Sequence, residues 1–405
     1  MGKENRGIRG AGKRLWTKGR NYLLNKKEKL TLFWYSRYYG DKIILLESQQ
    51  VLSGNSGALY HYLRSKKEYR KYVFVCLLRR FDRTSFHNKR RVLAFSIDDK
   101  SPQKRWLVSH ALIAFFDDVP IRSRLPGAPT VYLTHGSPAL KNVKGIINVP
   151  DYVDYAICTS SCTIPLMSEQ FSFPKEKFFV AGLPRNDVLF QEKKDISSLV
   201  DPDEYHTVVL WTPTFRKVSF NSRNDSGKEQ PLDMPLLETR LDVEALEQFL
   251  SDHGMALWIK PHPYQDVSQL KQITGFKHIH ILFADQLAKK GIDVNDLFLH
   301  TDALISDYSS IAFDYLLIDR PIAYVTDDAE AYKLGFVPDF EALTPGRKLK
   351  NMEDLFSFLG EISRGEDGFS AERRRVRDYV HTCKNGGYCE SIEKLFLQTI
   401  IERRS

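Results

Sequence analysis

The chain has 405 residues, of which 42% are hydrophobic and 27% charged, so it is too long for one ordinary core and too apolar for a disordered chain. Its net charge of +8 sits at the start, where residues 1–40 carry eleven Lys and Arg against Glu4 and Glu28. No stretch of about 18 apolar residues occurs, and the start is polar and basic, so neither a transmembrane helix nor a signal peptide is expected. Five cysteines, an odd count with no C-x-x-C pair, argue against a zinc site or a disulfide framework and for free thiols.

In residues 1–40 the cations alternate with Leu15, Trp16, Tyr22, Leu23, Leu24, Leu30, Phe33, Trp34 and Tyr38. Apolar and cationic groups on one short amphipathic segment suit an anionic membrane surface. A packed helix with one solvated face is the other reading. No nucleic-acid motif accompanies the charge, so no nucleic-acid partner is expected. From residue 41 short apolar runs alternate with helical stretches. Strands are predicted at 43–46, 72–77, 111–116, 130–133, 155–158 and 178–180, with helices at 57–64 and 161–170. After Asp201-Pro202-Asp203 the pattern restarts, with strands at 207–211, 256–259, 278–283, 303–305 and 322–324. Helices are predicted there at 242–253, 267–273, 294–299 and 309–318. Runs of four to six apolar residues without alternation suit strands buried on both faces of a parallel sheet. Residues 217–234 read as a long mobile loop, and everything from Asn351 onward as helical. The division expected is a basic segment 1–40, a Rossmann-like domain 41–200, a second one 201–370, and C-terminal helices 371–405.

Each of five motifs follows a predicted strand, where α/β sheets build their ligand sites. His135-Gly136-Ser137-Pro138, with Leu140-Lys141 behind it, presents a histidine at a strand end. Its ordinary pKa suits a general base for a hydroxyl, although a lone turn histidine held by the backbone would look the same. In Gly182-Leu183-Pro184-Arg185-Asn186-Asp187 a turn is followed by Asn186 or Asp187 as a helix cap. Pro213-Thr214-Phe215-Arg216 places Arg216 to grip phosphate with both arms of its fork, or else to make a surface ion pair. Lys260-Pro261-His262-Pro263 holds a cationic pair rigidly and suits a diphosphate. Ser306-Asp307-Tyr308-Ser309-Ser310 ends a strand and opens a helix, with Ser309 or Ser310 as cap and the first-turn N–H groups as an anion site.

Together, in this order, these motifs resemble the CDP-glycerol glycerophosphotransferase family of teichoic acid and capsule polymerases and primases. The similarity runs from about Tyr132 to Gly346. Ser137 stands where the family usually has Thr. Leu334-Gly335-Phe336 stands where the family often has Arg-Gly-Phe, which leaves the polyol open. The resemblance implies a GT-B fold, two Rossmann-like domains facing across a cleft, and transfer of a polyol phosphate from a CDP-glycerol or related CDP-polyol donor to a polymer or lipid-linked acceptor, releasing CMP. It implies His135 and His262 as catalytic residues. Arg216, Lys260, Asp307, Ser309 and Ser310 would bind the donor phosphates, with Gly136, Ser137, Arg185, Asn186 and Asp187 supporting them. No Asp-x-Asp metal signature stands in a suitable loop, and a supporting divalent cation is compatible with the pattern. A sugar transferase of the same fold would release a nucleoside diphosphate instead. A non-catalytic polyanion binder would have no use for two strand-end histidines. The expected location is the cytoplasmic face of the membrane.

Overall fold

The computed structural model describes residues 30, 33, 34, 36–40, 42–48, 52–78, 91–117, 128–136, 138–216, 228, 230–263, 265 and 267–404. Its first half holds β1 (Ile43–Ser48), β2 (Val73–Leu78), β3 (Val92–Ser96), β4 (Ile113–Phe116), β5 (Thr130–Tyr132), β6 (Tyr155–Cys158) and β7 (Phe178–Val180). They form one seven-stranded sheet in the order β3-β2-β1-β4-β5-β6-β7. Its second half holds β8 (Thr207–Trp211), β9 (Met255–Ile259), β10 (Ile279–Ile281), β11 (Ala303–Ser306), β12 (Ile322–Val325) and β13 (Arg347–Leu349). These form a six-stranded sheet in the order β10-β9-β8-β11-β12-β13. Neighbouring strands run parallel throughout, as in Ile44↔Ile113 and Leu304↔Leu210. Two parallel α/β sheets of this kind are the two Rossmann-like halves of a GT-B architecture.

Burial explains why these runs are strands. Every residue of β1, β2, β8 and β9 except Thr207 is buried, because helices cover both faces of each sheet. Ile44 and Leu46 of β1 pack with Leu59 and Leu63 of the helix Gly54–Ser65. Ile43 and Leu45 pack on the other face with Leu107 of the helix Pro102–Ser109. Both strand orders reverse beside a first strand, between β1 and β4 and again between β8 and β11. A crevice opens at each such point, beyond the carboxyl ends of the strands.

The structure departs from expectation at several places, each for a physical reason. β3 and β13 were not predicted; both are sheet edges, and β13 begins with Arg347 and Lys348, charges that an edge tolerates and a central strand would not. Of the helix expected over 267–273, only a single 3-10 turn, Leu270–Ile273, forms. The C-terminal part is not continuously helical. It breaks after Ser363 at Gly365, and after Val380 it resumes only at Tyr388, behind Gly386 and Gly387, all three glycines with positive φ. In the expected loop 217–234, residues 217–227 and 229 lie outside the described residues. The end of that segment is packed rather than mobile, with Leu232 and Met234 buried against β8 and the helix Arg240–Asp252. The basic residues 1–29 also lie outside the described residues.

After the second sheet the chain returns to the first. Cys389, Ile392, Phe396 and Leu397 join the core beneath β1, β2 and β6. The turn at Gly182 (φ +77) makes room for this return, since a Cβ there would lie 2.1 Å from the Tyr388 ring.

Candidate active site

The five motifs converge on the cleft between the two sheets. His135 follows β5 and Arg185 follows β7 in the first half. Pro213 to Arg216 follow β8, Lys260 to His262 follow β9, and Asp307 to Ser310 follow β11 in the second. The motifs after β8 and β11 therefore flank the switch point of the second sheet, where an α/β ligand is expected.

The His135 loop is held under backbone strain. Thr134, fully buried, has φ +54, a conformation unusual for a β-branched residue. Its carbonyl accepts a 2.8 Å hydrogen bond from Asn55 Nδ2, and the Leu133 carbonyl accepts a second from the same group. Next to it Gly136 lies against the opposite domain: a Cβ there would fall 2.0 Å from Ser310 Oγ and 2.8 Å from Ser310 Cβ. Glycine at 136 is thus required for the two domains to approach. Ser137 lies outside the described residues.

The His135 ring opens onto the cleft, while the domains crowd it on its other sides. That enclosure, then the cations Arg185 and Lys141 and, more weakly, Lys260, lower its pKa to about 4, with Asp314 opposing them. The ring is therefore neutral at ordinary pH and able to accept a proton. Lys260 also has a lowered pKa, because burial disfavours its charge more than Asp293 restores it. His262 is partly buried, its ring centroid 4.8 Å from that of Phe215. Lys141 lies over the other partner of this cluster, with Nζ 5.7 Å from the Phe215 ring centroid. Two histidines and several cations from both domains thus face one space.

Two residues expected to grip phosphate are placed otherwise. Arg216 is 4% exposed and spans two carboxylates, donating to Asp307 Oδ2 at 2.7 Å and to Asp328 at 2.7 and 3.1 Å. Its guanidinium also stacks over Tyr308, 4.8 Å from the ring centroid. Asp307, with no exposed surface, accepts from Thr214 N and Thr214 Oγ1 as well. The pair consequently ties the loop after β8 to the loop after β11. The fork of Arg216 is filled by these carboxylates. Ser310 does take the N-cap position of a short helix, Ile311–Tyr315, without a side-chain capping bond, and Ser309 Oγ accepts from Ile311 N at 3.4 Å.

Asn186 and Asp187 do not cap the turn that follows them. Asp187 accepts from the N–H groups of Tyr388 and Cys389 at 2.8 and 2.9 Å, capping the helix 201 residues later. Asn186 donates to Asp314 Oδ1 and accepts from Asn295 Nδ2, both across the domain boundary. Sequence reading missed Asn55, Asp293 and Asp314. A usable signal existed for the first: Ser53-Gly54-Asn55-Ser56-Gly57 follows β1, the place where Rossmann-like domains carry small residues into a helix. Asp293 Oδ2 accepts from Gly54 N at 2.8 Å and so latches this helix to the opposite domain. Among the described residues no group of three or more His, Cys, Asp or Glu is arranged to hold a metal.

Two Rossmann-like domains closing a cationic, histidine-bearing cleft define a GT-B type transferase that handles phosphate. The chain belongs to the CDP-glycerol:poly(glycerophosphate) glycerophosphotransferase family, whose model matches residues 30–397. It is 26% identical over 352 residues to a teichoic acid poly(glycerol phosphate) polymerase of Bacillus spizizenii, covering 79% of this chain and 83% of that one. It is 27% identical over 240 residues to the teichoic acid ribitol-phosphate polymerase TarK of Staphylococcus aureus, covering 54% of this chain and 44% of that longer relative. A solved histidine-to-asparagine variant of the wall teichoic acid polymerase TagF, soaked with CDPG, matches 97% of this chain and 98% of its own with a TM-score of 0.71 and 20% identity. That likeness establishes the fold.

Proposed function

We propose that this enzyme moves glycerol phosphate, or a related polyol phosphate, from a CDP-activated donor to a hydroxyl of a cell-wall polymer or its lipid-linked precursor. The observation that carries this reading is the meeting of the His135 loop with the second domain, where Lys260 acts on the His135 ring and Gly136 lies against Ser310. The acceptor oxygen attacks the phosphorus that bears the polyol, and its proton passes to the neutral ring of His135. The bond from that phosphorus to the bridging oxygen breaks, and CMP leaves with the electron pair. Lys260 and His262 offset the charge gathering on the phosphate oxygens. Arg216 and Asp307 hold the loops that carry these groups. Relatives acting on glycerol phosphate and on ribitol phosphate both match, so the donor is settled by experiment. Purified protein given CDP-glycerol and a glycerol-phosphate-primed acceptor is expected to release CMP. Release of a nucleoside diphosphate from a sugar donor, with CDP-polyols untouched, would overturn the assignment.

The acceptor's lipid link calls for the membrane surface. Leu30, Phe33, Trp34 and Tyr38, at the end of the basic segment, are each about three-fifths exposed on helical residues. Their spacing sets them along one side of a helix. Among the described residues no helix is long and apolar enough to cross a membrane, so adhesion rather than insertion is the mode proposed. Deleting residues 1–29 is expected to weaken binding to anionic liposomes, and added salt to weaken binding of the intact chain. Equal binding of the truncated and intact proteins at low salt would rule out this anchor.

A further inference from the structure

The proposed base stands on the first domain, yet the contact that fixes its backbone is completed by the second. Arg185 Nη1 donates to the His135 carbonyl oxygen at 2.7 Å. The rest of the same guanidinium is taken by Asp314, with Nε 2.9 Å and Nη2 2.7 Å from Oδ2. The other carboxylate oxygen, Oδ1, accepts from Asn186 Nδ2 at 2.8 Å. Asp314 is 1% exposed, and its side chain is fully committed to these partners in the loop after β7. The Arg185 backbone N–H in turn donates to Asn55 Oδ1, whose amide nitrogen holds the Thr134 carbonyl. The strained Thr134 and the adjacent His135 are therefore gripped through their carbonyls from two sides, by Asn55 and by Arg185. Asn55 belongs to the first domain alone. Arg185 is aimed only while Asp314 is present beside it.

We infer that Asp314 is a positioning residue for His135: by orienting Arg185 from across the cleft, it sets the base in place only when the two domains are docked. The inference rests on the reading of His135 as general base. Two arms of the Arg185 fork converge on the one oxygen Oδ2 of buried Asp314, a charge-assisted contact, and a carboxamide at 314 removes the charge that holds them. One arm of the amide would point N–H groups at a donor, either Arg185 or Asn186. Asn186 can meet such a group only by turning over together with Asn295, whose Nδ2 now holds its oxygen at 2.7 Å. Releasing Arg185 frees the His135 carbonyl and lets the strained turn relax. The ring then loses its aim while the phosphate-binding groups of the second domain stay where they were.

The test is a cycle of Asp314→Asn in the wild-type and His135→Ala backgrounds, read as single-turnover CMP release at high enzyme, with donor affinity and melting temperature alongside. Misplacing a catalytic group by about 1 Å costs on the order of 100-fold. Asp314→Asn is accordingly expected to lower turnover roughly 10- to 100-fold in the wild-type background, with donor affinity little changed. In the His135→Ala background it is expected to cost nothing further, because there is no base left to misplace. A full-rate Asp314→Asn enzyme, or an equal loss in both backgrounds, overturns the positioning role while leaving the base assignment intact. A near wild-type rate for His135→Ala alone overturns the base assignment and this inference with it. If Asp314→Asn does not fold, Arg185→Lys, which keeps the charge and gives up the fork, is read in the same two backgrounds by the same criteria.

Discussion

Replacing His135 by Ala is expected to slow CMP release by about 100- to 10,000-fold, the usual worth of a positioned general base, with donor affinity nearly unchanged. The ring is the one imidazole contributed to the cleft by the first domain among the described residues, while donor phosphates are assigned to groups of the second. Its pKa, lowered to about 4 by enclosure and by Arg185 and Lys141, adds a sign that can be checked. The base form is the neutral ring, so from about pH 5 upward His135 is mostly competent and sets no acid limb near neutrality. For stability the direction is opposite in kind. Between the ordinary value of 6.5 and about 4 the unfolded chain binds a proton that the folded chain refuses. Folding is therefore weakened as pH falls through that window, and the contribution disappears in the Ala variant. A His135→Ala enzyme that turns over donor and acceptor at near wild-type rate would sink the assigned mechanism, although the family membership would stand.

Arg216→Ala is expected to destabilise the second domain by about 3–5 kcal/mol, the range for removing one partner of a buried ion pair. The residue is 4% exposed, and its loss removes the guanidinium that the buried carboxylates of Asp307 and Asp328 share. Arg216→Lys is expected to recover little, since a single ammonium cannot span both carboxylates as the fork does. Donor binding should weaken as well, because the loops after β8 and β11 are joined at this point through Thr214 and Asp307. Chemical denaturation together with donor titration reads both effects. A loss of stability under about 1 kcal/mol, combined with lost donor binding, would instead return Arg216 to direct phosphate contact.

Most of this architecture was legible because a doubly covered parallel strand writes itself as an unbroken apolar run. Val73–Leu78 and Met255–Ile259 could hardly be read otherwise. The misses fall where a strand lies at an edge and needs no such run, as at Arg347–Leu349, or where glycine ends a helix that its neighbours would continue, as at Gly365. The site was legible as a set of loops and less so as a set of roles. Arg216 looked like a phosphate ligand because arginine at a strand end suits one. Nothing local to it announces Asp328, which lies 112 residues later in sequence. Asp187 likewise looked like a cap for its own turn, while its partners Tyr388 and Cys389 are supplied by the far end of the chain. Sequence spacing shows which side chains reach the cleft, and long-range pairing decides which of them are already taken.

The return of the chain to its first sheet has a consequence for the order of events during synthesis. Ile392, Phe396 and Leu397 complete the core under β1 and β2, strands made some 300 residues earlier. The first sheet therefore cannot close its core on the ribosome until the last turns emerge, whereas the second sheet, contiguous from Thr207 to Leu349, is free to form before them. The half that carries His135 is thus the last to mature, and it matures against a partner already folded. Joining ends so far apart in sequence slows the final step, since closure entropy is lost before the contacts that reward it exist. During that interval the exposed lower face of β1 and β2 is the part of the molecule open to misassociation. The docking of Tyr388 under Gly182, with its N–H on Asp187, is the event that ends the exposure.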